Sequence, residues 1–244
     1  MKTPINNQHI STAKLPGKLR AFIFRDGAHL REDEPVYAVN WFNTKSNMIY
    51  DFYNHLAVKS VRKIGGEPFF KARHVKTLHG SVDETRDVLL LVRYPALTNF
   101  RTMLESTTFQ IVSLIRMAAV KDFTFGFTKR GDKGAALVPL NEDDKGKVVY
   151  GVFHYSGIQD IDLFLSKLMP ETSAEIFYTG TIRAHIATGE TYDVATQVPC
   201  EMDGLVIFKS DTPKDLESLP QNTVFKSLTT QANRSFFGLY TRIL

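Results

Sequence analysis

Tyr37-Ala38-Val39-Asn40-Trp41-Phe42 returns later in the chain as Tyr150-Gly151-Val152-Phe153-His154-Tyr155. A second pair, Phe125-Gly126-Phe127-Thr128-Lys129-Arg130 and Phe237-Gly238-Leu239-Tyr240-Thr241-Arg242, matches Gly126 with Gly238, an offset of 112 residues. Between these anchors both segments read as strand, helix, strand, strand, helix, strand. The chain therefore divides into an N-terminal arm over 1–34, a first unit over 35–130, a linker over 131–146 and a second unit over 147–244. The arm is polar except for Leu19 to Phe24, which reads as an extra edge strand against one unit or a neighbouring subunit.

In the first unit a strand over Val36–Phe42 is apolar on both faces, and Asn43 and Thr44 offer capping chemistry for a helix over Lys45–Ile64. Ile49, Phe52, Tyr53, Leu56 and Ile64 recur on one helical stripe, and Gly65-Gly66 supplies a stop. Glu67–Leu78 reads as a strand and Gly80–Arg86 as a hairpin loop. Asp87–Tyr94 is a buried strand, because Val88-Leu89-Leu90-Leu91-Val92 has no polar face. After Pro95 come helical stretches over 98–105 and 108–120, the latter with Ile111, Val112, Ile115 and Ala119 on one side, and a closing strand over Asp122–Lys129. The second unit gives strands over 148–155, 174–187, 204–210 and 235–244, with helices over 158–168 and 223–232.

Packing then sets the architecture. Two short helices cover one face of a four-stranded sheet, yet three of the four strands in each unit are apolar on both faces. The uncovered face must meet another sheet, and the second unit provides it. Right-handed crossovers put both helices on the same side. The expected fold is α+β: two ferredoxin-like βαββαβ repeats whose antiparallel sheets pack as an intrachain pseudo-dimeric α+β barrel, with a small-molecule pocket in its interior.

Composition narrows the function. Hydrophobic residues at 43% and 18 Phe with 9 Tyr suffice for a packed, β-rich core. Thirty basic residues against 26 acidic, scattered rather than striped, argue against nucleic acid as a partner. One cysteine, Cys200, permits no internal disulfide, and the N-terminus has no apolar h-region; both suit the cytoplasm. No run approaches the roughly 20 apolar residues of a membrane helix. No Gly-rich phosphate loop, Gly-x-Ser-x-Gly elbow or His-Glu-x-x-His helix occurs, which removes the common nucleotide, α/β-hydrolase and zincin chemistries.

Trp41 and His154 end the two first strands at equivalent positions, beside Asn40 and Tyr155. Such a mouth could orient an aromatic or oxygenated ligand, with the imidazole as a proton shuttle near neutral pH, or could simply seal the core with aromatics. His74 is in phase with Phe70, Ala72 and Leu78, on an apolar face where a neutral imidazole needs a partner. Arg93 is the one charge in its strand, next to Tyr94, and could counter an acidic substrate or snorkel to water. Arg116 reads as a surface ion pair, His185 as solvent-facing and Cys200 as inert. No histidine pair has a local metal-ligand spacing, so no metal is expected.

Gly65-Gly66, Phe69-Phe70-Lys71-Ala72-Arg73, Val75 to Gly80, Leu89 to Pro95, Ser106 to Gln110 and Arg116 together resemble the DUF1330 group of the dimeric α+β-barrel superfamily. The resemblance covers residues 35–130. The second unit departs from it, with Pro170-Glu171 where the glycine pair would fall and no counterpart of Arg116. The superfamily holds cofactor-free monooxygenases, isomerases, haem-dependent enzymes and members without known activity. The resemblance implies a pocket between sheet and helices or inside the barrel and no particular reaction. With the Asn40, Trp41, His154 and Tyr155 mouth, the expected function is a small-molecule enzyme of the cofactor-independent oxygenase or isomerase type, acting on a small aromatic or oxygenated metabolite. Its alternatives are a haem enzyme with His74 or His154 as axial ligand, and a non-catalytic ligand-binding or assembly module that forms a homo-oligomer.

Overall fold

The chain was analysed as a computed structural model, which describes residues 10–15, 18–24, 33–81, 84–131, 137–189 and 202–244. Residues 36–128 run β3 (Val36–Thr44), α1 (Asn47–Lys63), β4 (Glu67–His79), β5 (Val88–Tyr94), α2 (Leu97–Glu105), α3 (Thr107–Ala119) and β6 (Val120–Thr128). Residues 150–242 run β7 (Tyr150–Ser156), α4 (Ile161–Leu168), β8 (Glu175–Gly189), β9 (Gly204–Lys209), α5 (Pro213–Ser218), α6 (Thr223–Gln231) and β10 (Arg234–Arg242). Ahead of both, β1 (Ile10–Leu15) and β2 (Lys18–Phe24) form a hairpin whose second strand pairs with the far end of β8. The edge strand expected at Leu19–Phe24 is therefore part of a pair.

Within each half the strands take the same spatial order, β6-β3-β5-β4 and β10-β7-β9-β8. Antiparallel pairing of β4 with β10 and of β6 with β8 joins the halves into a closed barrel of eight strands. The two seams differ: β4 and β10 match at six positions, β6 and β8 at two. At the shorter seam Gly126 is required, because a Cβ there would meet the Ile182 side chain at 2.8 Å.

Strand alternation divides the apolar residues between two environments. Val39, Trp41, Phe70, Leu89, Leu91, Tyr150, Val152 and Tyr240 point into the barrel. Their strand neighbours, among them Ala38, Val92, Phe153 and Phe208, face the helices outside. Only helices on the outside satisfy both sets at once, which is why continuous apolar strands such as β5 occur here.

Helix boundaries follow local chemistry. Ser46 caps α1 by accepting from the Ile49 amide, and Ser106 caps α3 through the Phe109 amide. The expected caps, Asn43 and Thr44, are instead tied to Asp87: Asn43 accepts from its amide, and its carboxylate accepts from Thr44. Gly65, at φ +76°, turns the chain out of α1. The expected stripes are buried at Val112 and Ala119 and half-buried at Ile49, Tyr53, Leu56, Ile64 and Ile115. Phe52 and Ile111 depart from them, at 57% and 58% exposed.

Candidate functional site at one end of the barrel

Trp41 and His154 meet inside the barrel. β3 and β7 each send every second side chain inward, so these residues stack with ring centroids 3.9 Å apart and planes 25° apart. Both are buried, Trp41 at 5% and His154 at 2% exposure. The Trp41 Nε1–H donates to the Tyr240 hydroxyl at 3.0 Å, and Phe236 leans on the indole from the side. The imidazole has no such arrangement: among the described residues neither Nδ1 nor Nε2 of His154 has a hydrogen-bond partner. Burial, with the nearby Arg86 charge adding to it, drives its pKa down to about 3. The ring is therefore held neutral at physiological pH, unlike a proton shuttle that titrates near 7.

A cleft of about 50 Å³ opens beside this stack, lined among others by Glu84, Arg86, Arg234 and Ser235. The Arg86 guanidinium stands 5.5 Å from the Trp41 ring centroid. Asp122 helps hold it there: its carbonyl accepts from Arg86 Nε at 2.9 Å. Asp122 is the one non-glycine among the described residues with positive φ, at 50°. It lies where β3 and β6 slip register between Trp41 and Asn43, and Asn43 donates to its carboxylate. That bulge turns the carbonyl toward Arg86. Glu84 pairs with Arg234 at 3.0 Å, and the Ser235 hydroxyl meets His79 Nε2 at 2.9 Å. The cleft thus has an aromatic and imidazole floor under an entrance at which, among the described residues, Glu84, Arg86 and Arg234 carry charge.

His74 is inside the barrel too, edge-on to Tyr240 at 5.4 Å, with its Nε2 at 3.2 Å from the Thr77 hydroxyl. Burial lowers its pKa, against the opposing pull of Asp87. The expected phase holds up to that point and then fails. Register shifts against β10 leave Val75 and Leu78 without opposite partners, and Leu78 packs on the helix side.

The rest of the expected mouth is dispersed. Asn40 and Tyr155 adjoin Trp41 and His154 in sequence, so the two-residue period sends them to the opposite face. Asn40 donates to the carbonyls of Ala38 and Leu90. The Tyr155 ring packs on Phe153 among the α4 and α6 side chains, though the residue borders the cleft wall. Tyr94 is buried under α2, edge-on to Phe100 at 5.0 Å. Arg93 pairs with Glu67 at 2.9 Å beside Tyr37, at the other end of the barrel, with both side chains well exposed. Arg116 lies over the Phe123 ring rather than in a surface pair. Cys200 and the His185 side chain lie outside the described residues.

Arg86, Glu84 and Arg234 were missed by sequence reasoning because they sit in loops and at a strand start, where no periodicity speaks. Tyr240 was legible: the alternation Phe236, Gly238, Tyr240 already points it inward.

This cleft does not fit a haem. It holds the volume of a few waters, and His74 Nε2 is engaged by Thr77. Among the described residues no three His, Cys, Asp or Glu side chains gather to hold a metal ion.

A closed eight-stranded antiparallel barrel with its helices outside is the dimeric α+β-barrel fold. Several solved structures are similar to it. One is an anthrone oxidase-like protein, 12% identical, covering 87% of this chain and 93% of its own, with a TM-score of 0.53. Another is a protein of unknown function from Rhodopseudomonas palustris, 21% identical over 47% of this chain and 88% of its own, TM-score 0.38. A chlorite dismutase variant from Candidatus Nitrospira defluvii covers 86% of this chain and 93% of its own at 11% identity and a TM-score of 0.44. At 12% identity the likeness to the anthrone oxidase-like protein is one of fold alone. No family model matches the sequence, and no curated protein matches it. Among the described residues no helix is long and apolar enough to cross a membrane.

Proposed function

We propose that the protein is a small-molecule enzyme of the cofactor-independent isomerase or oxygenase type, acting on a small oxygenated and anionic metabolite at the Trp41–His154 cleft. The supporting observation is the buried imidazole with both nitrogens unpartnered at the floor of an arginine-bearing cleft. A buried polar group without a partner costs about 1–3 kcal/mol. Such a cost persists where a ligand supplies the missing bond. The volume favours an oxygenated ligand over an aromatic one: a cavity that admits benzene measures roughly 150 Å³, three times this cleft.

In this reading the His154 N–H donates to the oxygen of a carbonyl substrate and to the enolate that forms from it, as a neutral imidazole can without titrating. Arg86 supplies positive charge to the same oxygen. Trp41 fixes the ring plane of His154 and is a positioning residue. Glu84, as carboxylate, removes the proton from the carbon beside the carbonyl. For isomerisation that proton returns at a different atom, and nothing else is consumed. For oxygenation the enolate carbon gives an electron pair to dioxygen, a C–O bond forms, and the resulting peroxide takes the proton from Glu84. The two halves act as repeats of one βαββαβ unit joined by residues 131–146, each contributing one member of the stack, with residues 1–34 as an appended arm.

The test is a titration of the protein with pyruvate, acetoacetate and related short keto acids, followed through the emission of Trp41, the single tryptophan. Saturable quenching that disappears in both His154→Phe and Arg86→Gln is the expected result. Quenching that survives His154→Phe, or no response to any keto acid at 10 mM, would contradict the reading.

A further inference from the structure

The two helix layers differ on their outward faces. On α6 the exposed positions Lys226, Ser227 and Thr230 are polar, and on α4 Leu163 is the one large apolar side chain that is exposed. On α1 and α3 the exposed side chains include Met48, Phe52, Ile111, Leu114 and Met117. These helices are antiparallel neighbours: the Lys45 amide donates to the Ala119 carbonyl and its Nζ to the Met117 carbonyl, both at 2.8 Å. The start of α1 thus lies beside the end of α3. Met48 falls level with Met117 and Phe52 level with Leu114, one turn further, with Ile111 extending the row. The five side chains form one continuous apolar patch.

We propose that this α1/α3 face is where two copies of the chain associate as a twofold dimer, with α3 packing on its symmetry mate. Area supports a protein partner of ordinary interface size. At roughly 200 Å² for a large side chain, five of them exposed by between 57% and 79% leave on the order of 600 Å² uncovered. Two such patches brought together bury about 1,200 Å², within the range of specific interfaces. Charge points to a second copy as the occupant. A twofold contact sets each surface against itself, so like charges at its centre would be brought together. Every exposed position of α3 (Thr107, Thr108, Gln110, Ile111, Leu114, Met117, Ala118) is uncharged. Its one ionic residue, Arg116, is turned onto the Phe123 ring. On α1 the exposed ionic residues are Asp51 beside the apolar row and Lys59, Arg62 and Lys63 toward the far end of the helix, beyond the level of Ile111, so the basic residues lie outside the centre of the contact.

Sedimentation equilibrium of the full chain between 1 and 100 µM decides the matter, with Leu114→Glu as the disrupting variant. The expected result is twice the chain mass for the wild type and a dissociation constant raised at least about tenfold in the variant. The emission of Trp41, which lies inside the barrel, should be unchanged. Should Leu114→Glu not fold, Ile111→Lys makes the same test from the neighbouring turn. A wild type that is monomeric at 100 µM would overturn the proposal, meaning that another protein or another segment of the chain covers the face. A dimer undiminished by these substitutions would overturn it equally.

Discussion

Trp41 and His154 occupy matching places on β3 and β7, face the same interior and touch each other, yet their polar atoms fare differently. The indole N–H has the Tyr240 hydroxyl at 3.0 Å; the imidazole nitrogens have no partner among the described residues. The tryptophan is thus a satisfied core residue with a polar handle, and the histidine a core residue carrying an uncompensated cost. Matching positions on β3 and β7 do not confer equivalent roles. The half of the pair that is energetically unsatisfied is the half where chemistry is to be sought.

The largest effect should come from removing the satisfied partner. Trp41→Ala deletes a buried aromatic and should cost about 3–5 kcal/mol in a denaturant melt. It should also admit water to His154 and bring its titration up toward 6.5. If the imidazole stays as it was, its low pKa arises without the indole.

Removing the unsatisfied partner should do the opposite. His154→Phe keeps a ring in the stack and deletes two orphaned nitrogens, so stability at pH 7 should hold or rise by about 1 kcal/mol. Its clearest signature is in the pH dependence. The unfolded imidazole takes a proton at its ordinary 6.5, whereas the folded one remains neutral down to about 3. Between those values the unfolded state binds more protons, so the wild type is fully stable above pH 6.5 and loses stability as pH falls toward 3. From pH 7 to pH 5 that loss is about 2 kcal/mol at one proton's worth of linkage. His74 and His79, also lowered by burial, add losses of the same sign in both proteins. The difference between wild type and His154→Phe isolates the one ring. Parallel pH profiles would show that His154 is solvated.

The smallest effect should come from Tyr240→Phe, which leaves the Trp41 N–H without its acceptor. A cost near 1 kcal/mol by chemical denaturation is expected, making the indole resemble the imidazole in one respect. No cost at all would mean that the indole finds another acceptor.

Much of the barrel was legible in the sequence because its signal is local and periodic. Apolar runs such as Val88–Val92 and Leu205–Phe208 have no polar face to give water, and one in each half demands a shared interior. The stack of Trp41 on His154 follows from the same alignment. What misled was adjacency: Asn40 and Tyr155 neighbour the stacked pair in sequence and, for that reason, point away from it. Helix periodicity was also read too generously at Phe52 and Ile111, where apolar residues face outward. Arg86 and Glu84 could not be found, because the β3/β6 bulge and the β4–β5 loop that bring them to the cleft are products of long-range pairing.

The central claim is that a neutral imidazole lies buried and unpartnered against Trp41 at the mouth of a closed barrel. Its most direct test is a proton–nitrogen NMR titration of the histidine rings, with the His154 signals assigned by their loss in His154→Phe. The account predicts that this ring stays neutral as pH falls from 7 to 4.5 while a model imidazole protonates near 6.5. A His154 ring that titrates at or above 6 would contradict it.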